Sequence, residues 1–382
     1  MKAPLHSSFD GGRLALTMAR VTVVGAGVAG LAAALYATTA GHHVVVLDRT
    51  DRLGGKATSQ QVDGVPFGFG LHLYDRRGPL ASIIKKISRL KPVTSSPRLD
   101  RLEVVGIGPL RPRQAVRKAA ALRSVLRKKD MNHPAVQSVA MVAGSGVDDL
   151  NDRYTGLLRG RLTVVGEGWS GLVGRMAAAL DEVGVLIEPN CQVTAVERGR
   201  VSLADGRTFE CDAVIVACGV RQARTLLSNT DDEILSSLVM HKASTIDVTL
   251  NSRPMGIRHG VFDPAQGAWM LDLANIQPRW GLVGAFLSAM AIERDKESSE
   301  DRMERLVTFM DQHAKGWQHH VVHQRQQQTI VVQTSGDKPS YDALAHHGIL
   351  LAGEWVASDH RLADAAAATG RFAGMNVGKA LP

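Results

Sequence analysis

The apolar positions of this chain fall into short β-branched runs separated by helical stretches, and the first such unit sets the reading of the rest. Val21 to Val24 is an apolar run that leads into Gly25-Ala26-Gly27-Val28-Ala29-Gly30 and then a stretch rich in Ala and Leu. A second apolar run, Val44 to Leu47, ends on Asp48. This order predicts strand, tight turn, helix and strand. Further on, Leu80, Ile83, Ile84, Ile87 and Leu90 repeat at helical spacing, as do Val116, Ala119, Leu122 and Leu126. A small meander with a turn at Asp205-Gly206 is expected over 191–210, strands at 246–250 and 282–287, and a helix with mixed charges over 300–313. The chain closes on a buried strand, Gly348 to Trp355, and a helix of small residues from Ala363 to Arg371.

The first unit carries chemistry. Gly25 lets the chain turn sharply off the strand, Gly27 lets backbone approach a pyrophosphate, and Gly30 lets helix and strand pack closely. A helix start there offers unpaired N–H groups and the positive end of its dipole to phosphates. Asp48 follows the first glycine at the distance at which an acid accepts hydrogen bonds from a ribose, and its charge repels a 2′-phosphate. Strand, turn, helix and acid together predict a dinucleotide site.

The segment Arg49-Thr50-Asp51-Arg52-Leu53-Gly54-Gly55-Lys56 resembles the D-R-x-G-G-R segment of the flavin amine oxidase and phytoene desaturase superfamily, with Lys56 where the family has Arg. Val62 to His72 resembles the family's F-D-x-G-x-H segment; Gly68 replaces its acid, whereas Gly70 and His72 match. Gly353-Glu354 and the helix beginning Ala363-Asp364 resemble the closing motifs, with Ala365 in place of a usual Gly. The resemblance implies FAD as cofactor and an α/β fold: a Rossmann-like FAD-binding domain with a glutathione-reductase-type core and an inserted α+β substrate domain. It implies cofactor contacts from Gly25, Gly27, Ala29, Gly30, Asp48, Arg49, Arg52, Gly55, Lys56, Gly70, Leu71, His72, Val193, Gly353, Glu354, Ala363 and Asp364, Val193 through its backbone to adenine. The expected division is a flexible extension over 1–20, an FAD domain from 21–75, 155–240 and 340–382, and a substrate domain from 76–154 and 241–339.

A second glycine motif, Gly166-Glu167-Gly168-Trp169-Ser170-Gly171, precedes an Ala-rich helix and Glu188. Read literally, it implies an NAD(P)H site and a flavin reductase. Motif order argues otherwise, because the strand that would complete the first FAD half, Asp212 to Gly219, comes after it. The favoured reading, which resembles the phytoene desaturase pattern, is a helix that feeds Val185-Leu186-Ile187 in beside the FAD domain.

Three cysteines, Cys191, Cys211 and Cys218, form no CxxC pair, which points to buried small residues in a reducing compartment and against a disulfide scaffold or a metal site. No apolar run reaches transmembrane length and residues 1–20 hold no signal-peptide core, so a cytoplasmic protein is expected. The formal charge of +8 is concentrated between Arg76 and Lys129, where 16 basic residues face Asp100 and Glu103, net +14. Basic amphipathic helices of this kind fit an anionic membrane surface, an anionic substrate or acidic carrier, or simply a solvated cap. Without interleaved aromatics they do not fit nucleic acid.

The implied chemistry is hydride removal from a C–H or C–N bond of a small molecule, apolar or anionic, with reoxidation by oxygen or another acceptor. A non-redox FAD-binding isomerase is the other alternative. No catalytic base is assigned; His72, Lys242, Trp355, His241 and His360 are candidates on the flavin or substrate side, each with a structural reading beside it. Aromatic content of 4% argues weakly against an aromatic cage around an amine.

Overall fold

The computed structural model describes residues 18–381 apart from 69, 71–72, 89, 114–115, 145–151, 232 and 255. Leu71 and His72 therefore lie outside the described residues, as do residues 1–17 of the expected extension. Five apolar runs, drawn from widely separated parts of the chain, meet in one parallel sheet. Its strands are β1 (Arg20–Val24), β2 (His43–Leu47), β3 (Leu186–Glu188), β4 (Ala213–Val216) and β5 (Ile349–Leu351), in the order β3-β2-β1-β4-β5. All four pairings are parallel, for example Val23 opposite Val46 on one side and Ile215 on the other. That is the Rossmann order. Such strands are buried on both faces, which is why they read as continuous apolar runs.

Helices α1 (Val28–Thr39), α2 (Gly168–Glu182) and α3 (Leu362–Met375) cover one face, packing Leu31, Leu172, Met176 and Ala367 with Val21, Val23, Ile215 and Leu350. The other face, with Val214, Val216, Ile349 and Leu351, packs on the Val220–Leu227 helix and a meander of Val193–Glu197, Arg200–Leu203 and Thr208–Glu210.

Two excursions leave this sheet. One runs between β2 and β3, the other between β4 and β5. Together they build a seven-stranded sheet in the order Val321–Ser335, Val239–Leu250, Ala285–Ile292, Ala268–Asp272, Gly260–Asp263, Leu102–Val104, Gly108–Pro109. Helices Val116–Lys128 and Pro134–Ala143 pack on it through Leu122, Leu126, Val136 and Val139, and Ser299–His313 covers its other side through Leu306, Phe309 and Met310.

The basic helices are shorter than their apolar period. Pro79–Ile87 buries Leu80, Ile83 and Ile84, but Leu90 lies past its end and is 75% exposed; Val116 starts its helix 79% exposed. The strand expected over 282–287 begins only at Ala285, and Val283 is 94% exposed. Terminal apolar residues extend a period without joining the core. Among the described residues no helix is long and apolar enough to cross a membrane.

The closest packing in the sheet's helical layer is between α1 and α3. A Cβ on Gly370 would stand 2.2 Å from the Ala29 carbonyl oxygen, and one on Gly374 would stand 2.3 Å from that of Ala33. Both contacts step by four residues in the same direction, so the helices run parallel. Gly370 is level with Ala29, the second residue of α1, so α3 begins about 10 Å beyond the start of α1. Gly370→Val is expected to lose about 1–3 kcal/mol of stability in denaturant unfolding, because backbone must move to admit it; a change below about 0.5 kcal/mol would contradict this packing.

Candidate dinucleotide and flavin site

Gly25 turns the chain off β1 at φ +109°, with its N–H donating to the Leu47 carbonyl at 2.7 Å. The turn is crowded at both ends: a Cβ on Gly25 would lie 3.0 Å from the Ala217 oxygen, and one on Gly30 would lie 1.8 Å from the Gly25 oxygen. Gly27 differs. A Cβ there would meet nothing closer than the Gly54 oxygen at 3.8 Å. The Gly54-Gly55 loop is held opposite by the Gly54 N–H to Ala26 carbonyl bond of 2.8 Å and by a short Gly27–Gly54 bridge. The result is a cradle walled by backbone, at the N-terminus of α1.

Charged groups surround it in pairs. Asp48 accepts from the Ala26 N–H at 2.7 Å through Oδ2, and from the Thr50 N–H and hydroxyl, both at 2.9 Å, through Oδ1. The carboxylate thus fixes the turn and still has accepting capacity on Oδ2. Lys56 Nζ binds Glu354 Oε1 at 3.1 Å, joining the loop after β2 to the segment after β5. Glu354 is held further by the Thr334 N–H and hydroxyl on Oε2 at 3.1 and 2.9 Å, and its carbonyl accepts from Lys338 Nζ at 2.7 Å. Burial holds the Lys338 ammonium below its ordinary range. Arg49 and Arg52 are exposed on the same loop. Val193 is buried at the start of the meander, beside a bulge that interrupts the ladder before Ala195. Gly353 sits under the Trp355 ring, and Gly70 faces Ile330 and Met290 of the larger sheet.

At the start of α3, Ala363 is half-buried and Asp364 is buried. Asp364 accepts from Arg153 Nη1 at 3.1 Å and from the Leu80 N–H at 3.2 Å, and burial pushes its carboxyl upward. Arg153, 4% exposed, also donates to the carbonyls of Ala143 and Leu73. Its pairing is what neutralises a carboxylate in the first turn of α3.

The candidate catalytic side chains are separated. Trp355 is 1% exposed and donates to the Cys218 carbonyl at 3.0 Å, which assigns it to packing behind β4 and β5. Lys242 pairs with Glu293 at 3.2 Å and His241 with Ser335 at 2.7 Å, both on the Val239–Leu250 strand. His360 is half-buried and lies near Asp364. Cys191 and Cys211 are buried and Cys218 half-buried; burial pushes the Cys211 thiol up and that of Cys218 up to about 12, so neither is a thiolate.

The second glycine motif has another use. Its strand, Leu162–Val165, pairs antiparallel with Leu73–Asp75 and Thr94–Ser95, and not with a parallel sheet. Glu167 fills the space beside Gly171 and pairs with Arg175 at 2.8 Å, while the Gly166 carbonyl accepts from Trp280 Nε1. No cradle remains, and α2 instead feeds β3, which joins β2 in the first sheet. That topology agrees with the favoured reading, a helix feeding β3, and not with the NAD(P)H alternative for this motif.

A backbone cradle at a helix N-terminus, cations on one side and a carboxylate beyond each end, defines a Rossmann-type dinucleotide protein. The donor set fits a pyrophosphate flanked by two hydroxyl-bearing groups, as FAD presents. Family models agree: that for an NAD(P)-binding Rossmann-like domain matches residues 23–86, and that for flavin-containing amine oxidoreductases matches residues 135–247. Over these two segments, less than half of the chain between them, it resembles the flavin amine oxidase and phytoene desaturase superfamily, whose cofactor is FAD.

Carotenoid 3,4-desaturase of Haloarcula japonica is 46% identical over 54 residues, a match that spans 14% of this chain and only 11% of that protein. In fold, the chain is similar to an oxidoreductase from Methanosarcina mazei, with a TM-score of 0.70, 15% identity, and coverage of 94% of this chain and 100% of that one. Cyclohexylamine oxidase from Brevibacterium oxydans gives a TM-score of 0.64 at 14% identity, covering 94% and 98%.

Thr334, Lys338 and Arg153 escape a sequence reading, because each acts on a residue far away in the chain and none lies in a motif. Gly27→Val is expected to purify folded, with unfolding near that of the flavin-free parent, yet without bound flavin; retention of full flavin would place the pyrophosphate elsewhere. Arg153→Met is expected to lose about 3–5 kcal/mol in denaturant unfolding, since it strands the buried Asp364 carboxylate; stability within about 0.5 kcal/mol of the parent would show that the pair does not hold α3.

Proposed function

We propose that this protein removes a hydride from a C–H or C–N bond of a small apolar or anionic molecule, with FAD as acceptor and with oxygen or another oxidant restoring the flavin. The observation that carries this reading is the pair of helix starts, α1 at the open Gly27 cradle and α3 about 10 Å further out along the shared axis direction. A dinucleotide held by the first has its far end at the second. When bound, FAD supplies the hydride acceptor; the chain supplies orientation and electrostatics.

Asp48, Lys56 and Glu354 are the residues proposed to fix the dinucleotide along its length. Lys56 pairs with Glu354, whose other carboxylate oxygen is held by Thr334, so the ammonium is fixed beside the glycine loop. Arg153 cancels the Asp364 charge, which leaves the positive end of the α3 dipole to stabilise negative charge on a group held there. This arrangement asks for positioning and not for a protein base. Trp269, Trp317 and Trp355 are 1–2% exposed in packing roles, which supports a substrate other than an ammonium gripped between aromatic rings.

The test is a visible spectrum of the purified protein, identification of the cofactor released by heat, and anaerobic addition of NADPH followed by dithionite and then air. Flavin bands, released FAD, slow reaction with NADPH and reoxidation after dithionite are expected. Rapid bleaching by NADPH would replace the reading with a reductase, and a colourless protein that takes up no FAD would end it.

A further inference from the structure

The strongly basic stretch has one feature that a solvated helix face does not. Arg111, Arg123, Arg127 and Arg159 converge on a single cavity of about 300 Å³, together with Lys129. The four arginines are exposed, and among the described residues no Asp or Glu lines the cavity. Its inner wall is apolar: Leu99, Leu110, Leu126 and Leu158, with the buried ring of Tyr154. The Tyr154 hydroxyl donates to the Leu126 carbonyl at 2.8 Å, so it closes the wall and leaves the polar work to the rim.

We infer that this cavity binds a phosphate monoester that carries an apolar chain. Guanidinium groups match phosphate oxygens through paired N–H donors, and several at one rim suit a group that carries more than one negative charge. Arg123 already directs Nε to the Ala119 carbonyl at 3.1 Å, which orients its remaining donors. An apolar floor under a cationic rim is complementary to an amphiphile and not to a bare anion. The volume lies at the small end for ligand pockets, so it holds the headgroup and the first part of a chain. None of the lining residues belongs to the dinucleotide cleft, and the site does not depend on the hydride reading. The ligand chemistry is shared by two sources, a free alkyl phosphate and the headgroup of an anionic bilayer lipid.

The full-length holoprotein is titrated calorimetrically with decyl phosphate below its micelle concentration and with inorganic phosphate, then sedimented with phosphatidylcholine vesicles lacking or containing phosphatidic acid. Saturable decyl phosphate binding is expected, about tenfold or more tighter than inorganic phosphate, and weakened about tenfold or more in R123Q/R127Q and in L158W with flavin content unchanged. Such binding without sedimentation supports a free ligand. Sedimentation on phosphatidic acid vesicles that both variants lose supports a lipid headgroup. No saturable binding of decyl phosphate, binding no tighter than inorganic phosphate, or binding that survives in both variants overturns the proposal.

Discussion

Two carbonyl oxygens of α1 lie against two glycines of α3, and the geometry of the site depends on that contact. Gly370 and Gly374 let the helices approach until no side chain intervenes. Close approach fixes both the direction and the offset of the pair, because each contact is backbone against backbone. The offset leaves about two turns of α3 standing beyond the start of α1, which is the geometry that the proposed dinucleotide site uses. A dinucleotide is long enough to need two such ends; a mononucleotide is not.

The contact also explains why segments far apart in the chain, β1 and α1 on one side and β5 and α3 on the other, fold together. β5 completes the sheet next to β4, α3 returns over α1, and Lys56 reaches Glu354 across the seam. Buried polar pairs then hold the ends: Thr334 and Lys338 on Glu354, Arg153 on Asp364. Each of these partners comes from an excursion and not from the parallel sheet. The part of the molecule built on the seven-stranded sheet therefore braces the part built on the parallel sheet, and damage in one is felt in the other.

Much of this was legible in the chain. The first glycine turn, Asp48, the Gly54-Gly55 loop and the closing Gly353-Glu354 segment all lie where a reading of local pattern puts them, because each depends on neighbours within one supersecondary unit. Local pattern fails where the partner is distant. Nothing near Arg153 marks it as the counter-ion of a residue at position 364, and nothing near Trp355 shows that its indole N–H is engaged by Cys218. The second glycine motif looks like the first over seven residues, and only the antiparallel pairing of Leu162–Val165 separates them. Leu90, Val116 and Val283 show the same limit in smaller form: periodicity reports what a segment can bury, while the partner surface decides where burial stops.

The central claim, that one dinucleotide engages the starts of both α1 and α3, is tested most directly by amide hydrogen exchange of the protein with and without saturating FAD. FAD-dependent protection of the amides over 28–31 and over 362–366 is expected together, rising along one binding curve. Protection confined to the α1 start, with the α3 start unchanged, would contradict it.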